Sequence, residues 1–366
     1  MLCLGIETSC DDTSLALVKD GRLLAQESAG QADLHALFGG VVPELASREH
    51  ARFIGPLCDK LLRDNRYVAA DLDLVAVARG PGLLGSLLVG IAFAKSLAVG
   101  SGALFIGVNH LHAHLLAAGL EKKLLYPALG LLVSGGHTHL YRVEGPAAFS
   151  PLGKTLDDAA GEAFDKAGKM LGLPYPAGRQ MDFLAGKGRA DPRLFPRPHM
   201  RSGTLDFSFS GLKTAMRAQA KPSLRVSWDA ATGKAVLPKD PEQYAALADC
   251  CASFRLAVVE TLAAKMQAAL DAPDQADIRC LLLAGGVAAN SLLRASIARL
   301  AASREKAFLV PAPALCADNG AMVAYLGGLL AEEGFCHPLS MEAVPRGRPI
   351  PDDMRRRIGQ FPLTAP

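Results

Sequence analysis

The chain has 366 residues, 50% of them hydrophobic and 20% charged, with a formal net charge of +3. That profile excludes a disordered chain and exceeds what one compact core usually holds, so two domains are expected. The mild positive charge names no polyanionic partner by itself.

The eight cysteines form no CxxC pair, and several sit in apolar runs such as LCLGI and RCLLLAGG. They read as reduced thiols in a reducing compartment. The first residues enter a strand at once, with no basic leader or cleavage site, so a cytoplasmic protein is expected.

In chain order, residues 2–21, LCLGIETSCDDTSLALVKDG, predict two apolar strands around a short polar turn. An amphipathic helix follows in VPELASREHARFIGPLCDKLLRD, then a strand in LDLVAVARG. A glycine-rich turn leads into a helix over residues 83–99. That helix lies in the most hydrophobic run of the chain. Lys95 and four glycines interrupt the run, which favours a packed helix over a membrane span. The strand ALFIGVNH leads into a short helix that holds His110, His112 and His114.

Residues 129–145, LGLLVSGGHTHLYRVEG, repeat the opening hairpin pattern, and an internal duplication is the simplest explanation. Helical segments continue through DDAAGEAFDKAGKMLGL and, after a polar excursion at about 218–241, through YAALADCCASFRLAVVETLAAKMQAAL. Strand RCLLLAGG and helix ANSLLRASIARLAA come next, and a last helix runs from near Asp318 to about Glu333. Alternating strands and helices predict an α/β architecture. The expected domains are an N-terminal lobe at 1–127, a C-terminal lobe at 128–320, a closing helix at 321–345 and a basic tail at 346–366.

Charge is unevenly placed. Between Gly178 and Val226, ten Lys/Arg, Arg201 among them, stand against three acids, and Arg346, Arg348, Arg355, Arg356 and Arg357 cluster near the C-terminus. Each patch can be a solvated face or a phosphate-binding surface.

His110 and His114 share a helix face, while His112, two residues along, points elsewhere. The pair suits a metal and equally suits two satisfied helix histidines. A zinc-protease reading needs Glu beside the first histidine, where Leu111 stands. A third ligand could be Asp318 in PALCADNGAM, whose alternative role is to cap the helix it opens. The turns SGGHTH at 134–139, GPGLLGS at 80–86 and AGGVAAN at 284–290 each follow an apolar strand and could cradle an anion. None matches a P-loop or the dinucleotide fingerprint.

GIETSCDDTS, HALFGGVVPELASREH, GPGLLGSLLVG, NHLHAH, LLVSGGHTHL, DDAAGEAFDK, LDFSFSGLKTA, AGGVAAN and CADNGAM, from residue 3 to about 330, together resemble the bacterial TsaD family. The family, formerly described as glycoproteases, makes threonylcarbamoyladenosine in tRNA. The resemblance implies a duplicated, two-lobed actin-like fold of the Hsp70 and sugar-kinase type, with the ligand in the interlobe cleft. It implies transfer of a threonylcarbamoyl group from threonylcarbamoyl-AMP to the exocyclic amine of the adenosine 3′-adjacent to the anticodon, in tRNAs reading codons that begin with A.

The resemblance also implies metal ligands at His110, His114 and Asp318, with His112 a bystander. The ion would be iron(II) or alternatively zinc, both of which accept two imidazoles and a carboxylate. Substrate contacts are implied at Leu132, Val133, Ser134, Gly135, Gly136, Asp165, Gly178, Asp182 and Asn290, with an adenylate (threonylcarbamoyl-AMP, ATP or AMP) as ligand. No residue stands out as the base for the amine proton. Implied partners are the tRNA anticodon arm, TsaB-type and TsaE-type subunits and a TsaC-type synthase that supplies the adenylate, with no membrane. A small-molecule kinase of the same fold, a non-catalytic scaffold and the older protease reading are the rivals.

Overall fold

In a computed structural model of the chain, the described residues are all but 199–202, 230–233 and 357–366, so Arg201 and Arg357 of the basic clusters lie outside them. The chain divides into two units, Met1–Leu124 with Pro311–Pro366, and Leu125–Val310. The first holds strands β1 (Leu2–Glu7), β2 (Asp12–Lys19) and β3 (Arg22–Gly30), helices α1 (Ala32–Ala36) and α2 (Pro43–Asp64), β4 (Leu74–Gly80), α3 (Leu84–Ser101), β5 (Leu104–Asn109) and α4 (His110–Leu116).

The second unit holds β6 (Ala128–Val133), β7 (Thr138–Gly145), β8 (Ala148–Lys154), α5 (Ala160–Met170), α6 (Gly178–Ala185) and α7 (Ser210–Gln219). The short strands β9 (Ser227–Asp229) and β10 (Lys234–Val236) follow, then α8 (Pro241–Leu270), β11 (Cys280–Ala284), α9 (Ser291–Ser303) and β12 (Ala307–Leu309). The chain then returns to the first unit with α10 (Gly320–Glu332), β13 (Phe335–Cys336) and β14 (Arg355–Arg356).

The two five-stranded sheets have one topology. In the first unit the order is β3-β2-β1-β4-β5, and in the second β8-β7-β6-β11-β12. In each, the first three strands pair antiparallel and the last two join parallel to the leading strand. The duplication read from the two opening hairpins therefore extends to all five strands.

Helices on the sheet faces explain the unbroken apolar runs. β1, β4, β6 and β11 are buried at every position, as parallel strands covered on both faces must be. In the first unit Leu4, Ile6, Leu15, Leu17, Val75 and Val77 pack in one core with Ile54 and Leu61 of α2 and Ile91 and Ala94 of α3. Helix α3 is the one helix among the described residues long and apolar enough to cross a membrane, and it packs against α2 and β4. Helix α10 lies close on β1 and β2 because glycines stand at the contacts: Gly5 faces α10, and a Cβ on Gly320 would stand 2.7 Å from the Ala16 nitrogen of β2. A Cβ on Gly5 would stand 2.1 Å from the Gly320 carbonyl oxygen.

Two segments without periodicity in the sequence hold regular structure among their described residues. The polar excursion contains the β9–β10 ribbon. Residues 345–356 run along the first unit: Val344 N–H bonds the Arg79 carbonyl, Arg346 N–H bonds the Gly82 carbonyl, and β14 pairs with β13. Buried Arg79 anchors this segment through a forked pair of bonds to Asp353 at 2.5 and 3.2 Å.

Candidate functional site

In the first unit, β5 ends at Asn109, whose side chain accepts the Leu111 N–H and so starts α4 at His110. His110 and His114 are both buried, one turn apart, with ring centroids 4.7 Å from each other. His112 sits off that face, its Nε2 3.1 Å from Asn109 Nδ2.

Asp318 reaches the pair from the segment before α10. It does not cap that helix, as the sequence left open. Asn319 is the cap, accepting the Met322 N–H, and this leaves the Asp318 carboxylate turned to the histidines. Its Oδ1 lies 2.9 Å from His114 Nε2 and 3.6 Å from His110 Nε2. One ligand atom from each of the three residues falls within 4.8 Å of the other two.

The sequence motifs did not single out Glu7. It is fully buried at the end of β1, with Oε2 2.8 Å from His110 Nδ1 and Oε1 accepting the Ser9 N–H at 2.5 Å. The available signal was a carboxylate closing an otherwise apolar strand. Burial opposes charge on His110, but Glu7, Asp318 and the bond to Glu7 outweigh it and raise its pKa to about 9. Asp12 is raised to about 7 by burial and by Asp11, Asp318 and Glu7.

These residues fit a divalent cation. Two carboxylates flank two imidazoles, Glu7 fixes His110 so that Nε2 is directed to Asp318, and His114 Nδ1 is a buried nitrogen with no partner among the described residues. A carboxylate behind a ligating histidine is the usual way to orient the ring and raise its basicity.

The second unit gathers its expected residues at the carboxyl ends of β6 and β11, where open α/β sheets bind ligands. Leu132 and Val133 are buried at the end of β6. Ser134–Gly136 then form a tight turn: Ser134 N–H donates to the His137 carbonyl, and His137 N–H donates to Ser134 Oγ at 3.1 Å. Gly135 is exposed, with open space where a Cβ would stand. The turn after β11 needs glycine at 285, whose φ is +89° and where a Cβ would sit 2.5 Å from the Val133 carbonyl oxygen.

Asp165 on α5 accepts the Ala177 N–H at 2.8 Å and also bonds the Gly178 N–H. Burial raises its pKa and those two amides oppose the rise. Asp182 on α6 accepts from Asn290 Nδ2 at 2.7 Å, while Asn290 Oδ1 caps α9 through the Leu293 N–H. Arg255 of α8, which no motif indicated, donates to the same Asp182 Oδ1 at 2.8 Å. Of the basic stretch, Arg179, Lys187, Arg189 and Arg217 are exposed, whereas Arg197 is spent internally on Glu260 and two backbone carbonyls.

A family model described as "TsaD: tRNA N6-adenosine threonylcarbamoyltransferase" matches residues 22–325. A tRNA N6-adenosine threonylcarbamoyltransferase from Desulfovibrio desulfuricans is 62% identical over 358 residues, 97% of each chain. Among solved structures, full-length HypF aligns with a TM-score of 0.54 at 13% identity, covering 90% of this chain and 46% of that one. Component A of the Acidaminococcus fermentans (R)-2-hydroxyglutaryl-CoA dehydratase aligns with a TM-score of 0.50 at 14% identity, covering 89% and 96%. These two likenesses bear on the fold, which is of the actin-like ATPase type.

Proposed function

Since the chain belongs to the TsaD family and has its activity, transfer of a threonylcarbamoyl group to N6 of an adenosine in tRNA, we propose that the donor is threonylcarbamoyl-AMP, that the second unit binds it and that the first unit holds a divalent metal. The acceptor is the adenosine 3′-adjacent to the anticodon. The single observation that carries the metal assignment is the convergence of His110, His114 and Asp318, with Glu7 behind His110.

An exocyclic adenine amine is a weak nucleophile, so the acyl donor must arrive activated. The amine nitrogen attacks the carbamoyl carbon, the C–N bond forms, the C–O bond to phosphate breaks, and AMP leaves with the electron pair. The amine gives up one proton. The protein's task is to position these groups and stabilise developing charge.

In this reading the Ser134–Gly136 turn faces the phosphate; the Ser134 N–H is spent on the His137 carbonyl, which closes the turn, and the exposed Gly135 offers its backbone N–H. Leu132 and Val133 hold the turn rigidly through β6. Asp165, Gly178, Asp182 and Asn290 take the ribose and threonyl ends. His110, His114 and Asp318 hold iron(II), with zinc as the alternative, and the ion supplies Lewis acidity toward an oxygen-bearing substrate when bound. Exposed Arg179, Lys187, Arg189 and Arg217 meet phosphates of the anticodon arm, a contact that weakens steeply with salt.

A TsaB-type subunit docks in this account on α3, where Leu84, Leu88, Ala92 and Val99 are exposed on an otherwise packed helix. A TsaE-type ATPase and a TsaC-type synthase complete the cytoplasmic system. The test is transfer of labelled threonine from threonylcarbamoyl-AMP to unmodified tRNA by the chain with its partner subunits. The reading expects Asp165→Asn to raise KM for the adenylate about tenfold or more, the loss of one charged hydrogen bond. An unchanged KM in that variant overturns the adenylate's placement.

A further inference from the structure

Arg255 lies outside every motif, yet its guanidinium is committed to one small region. Nη1 bonds Asp182 Oδ1 at 2.8 Å and the Asp182 carbonyl at 3.3 Å, and Nη2 bonds the Ala185 carbonyl at 3.1 Å. The side chain is 13% exposed, Asp182's is 25% exposed, and Nε is buried without a partner among the described residues. Asn290 Nδ2 bonds the same Oδ1 at 2.7 Å.

Two donors, one on α8 and one at the N-cap of α9, therefore converge on a single carboxylate oxygen. A carboxylate has acceptor capacity on both oxygens. With Oδ1 occupied by Arg255 and Asn290, rotation of the Asp182 side chain is blocked, and Oδ2 is the oxygen left to a ligand. The pair also changes the local charge. An acyl-adenylate carries a phosphate, and Asp165 and Asp182 are both acidic. The Arg255 cation offsets one of these two charges where an anion must be accepted.

We infer that Arg255 is a positioning residue for the transfer reaction, fixing Asp182 so that Oδ2 receives a hydroxyl or ammonium group of the acyl-adenylate. The inference rests on the adenylate placement proposed above. Arg255 itself does not touch the ligand. It acts through Asp182, and a role confined to tying α8 to the carbonyls at the end of α6 is the competing explanation.

The experiment is a double-mutant cycle in the complete assembly with partner subunits, measuring KM for threonylcarbamoyl-AMP and kcat for transfer to tRNA in Arg255→Gln, Asp182→Asn and the double variant. Thermal melts of each protein check folding. Arg255→Gln is expected to raise KM about tenfold with kcat within about threefold of wild type, the signature of lost uniform binding. The double variant is expected to match Asp182→Asn alone, because residues that act through one another are not additive. Arg255→Lys, which keeps the charge, is expected to recover part of the KM.

If Asp182→Asn leaves KM unchanged, the adenylate placement at Asp182 fails. If Asp182→Asn raises KM but Arg255→Gln does not, that placement stands and the positioning role is overturned. A lowered melting temperature in Arg255→Gln, with KM unchanged or with fully additive effects in the double variant, also overturns it.

Discussion

Nδ1 of His110 lies 2.8 Å from Oε2 of Glu7, and both side chains are buried, one at the start of α4 and the other at the end of β1. This contact settles which ring nitrogen of His110 is committed to the protein. With Nδ1 bound to the carboxylate, Nε2 is the nitrogen presented to Asp318.

Glu7→Gln should therefore weaken the metal site without removing a ligand. The amide still reaches His110 but no longer polarises it. Affinity for Fe(II) or Zn(II), measured by competition with a chromophoric chelator, should fall about 10- to 100-fold. An affinity equal to wild type would mean that Glu7 only fills the end of β1.

Metal uptake should depend on pH in a defined direction. His110 is raised to about 9, so in the metal-free protein it is protonated at neutral pH, and a cation must displace that proton. Apparent affinity should rise with pH up to about 9, with proton release on binding, measurable by titration in buffers of different ionisation enthalpy. For the metal-free protein the sign is opposite. A raised histidine contributes stability that is full below its unfolded value of about 6.5 and is lost as pH rises through about 9.

Gly161 marks a point where the turn of the second unit has no slack. A Cβ there would stand 2.5 Å from the Ser134 carbonyl oxygen and 2.7 Å from the Gly135 Cα. Gly161→Ala must push the turn away from α5. KM for the adenylate should rise about tenfold or more, about 1.4 kcal/mol of binding, while metal affinity in the first unit stays at the wild-type value. Steady-state kinetics beside a chelator titration separate the two effects.

Much of this was legible in the sequence, and the reasons are local. The apolar strands and the i, i+4 spacing of His110 and His114 follow directly from period and pattern. Residue pattern alone could only suggest Asp318, which the family resemblance named as a ligand, because the neighbouring Asn319 is an equally good helix cap and only the fold shows which residue does it. Glu7 and Arg255 were not legible as site residues. Each meets its partner across a long stretch of chain, Glu7 with His110 and Arg255 with Asp182. Residues 345–356 offered no hydrophobic period, and polar bonds from Arg79 to Asp353 tie them to the first unit.

That segment carries its own prediction. Arg79 is 3% exposed and Asp353 is its acidic partner. Asp353→Ala leaves buried Arg79 without its acidic partner, and because Asp353 itself is 45% exposed the protein should lose about 1 kcal/mol in urea unfolding. Beside the pair, burial and Arg79 lower His337 to about 4 against the opposing pull of Asp353. At His337 the unfolded chain thus binds more protons between about 4 and 6.5, so the stability this residue contributes declines as pH falls through that window. Asp12, raised to about 7, contributes in the opposite sense over the same range. The His337 share is read as the difference in stability between wild type and His337→Asn across that window. A difference that does not change with pH, or an Asp353→Ala variant as stable as wild type, would show that the segment is held by other contacts.

The most direct measurement pairs metal content with labelled-threonine transfer to unmodified tRNA, comparing the wild-type assembly with one carrying His114→Ala. The account predicts near-stoichiometric iron or zinc and active transfer in wild type. In the variant it predicts loss of the metal and at least a hundredfold loss of transfer, several kcal/mol of transition-state stabilisation being typical of a bound metal, where about 2.7 kcal/mol already amounts to a hundredfold. Wild-type transfer rates in a His114→Ala protein that holds no metal would contradict it.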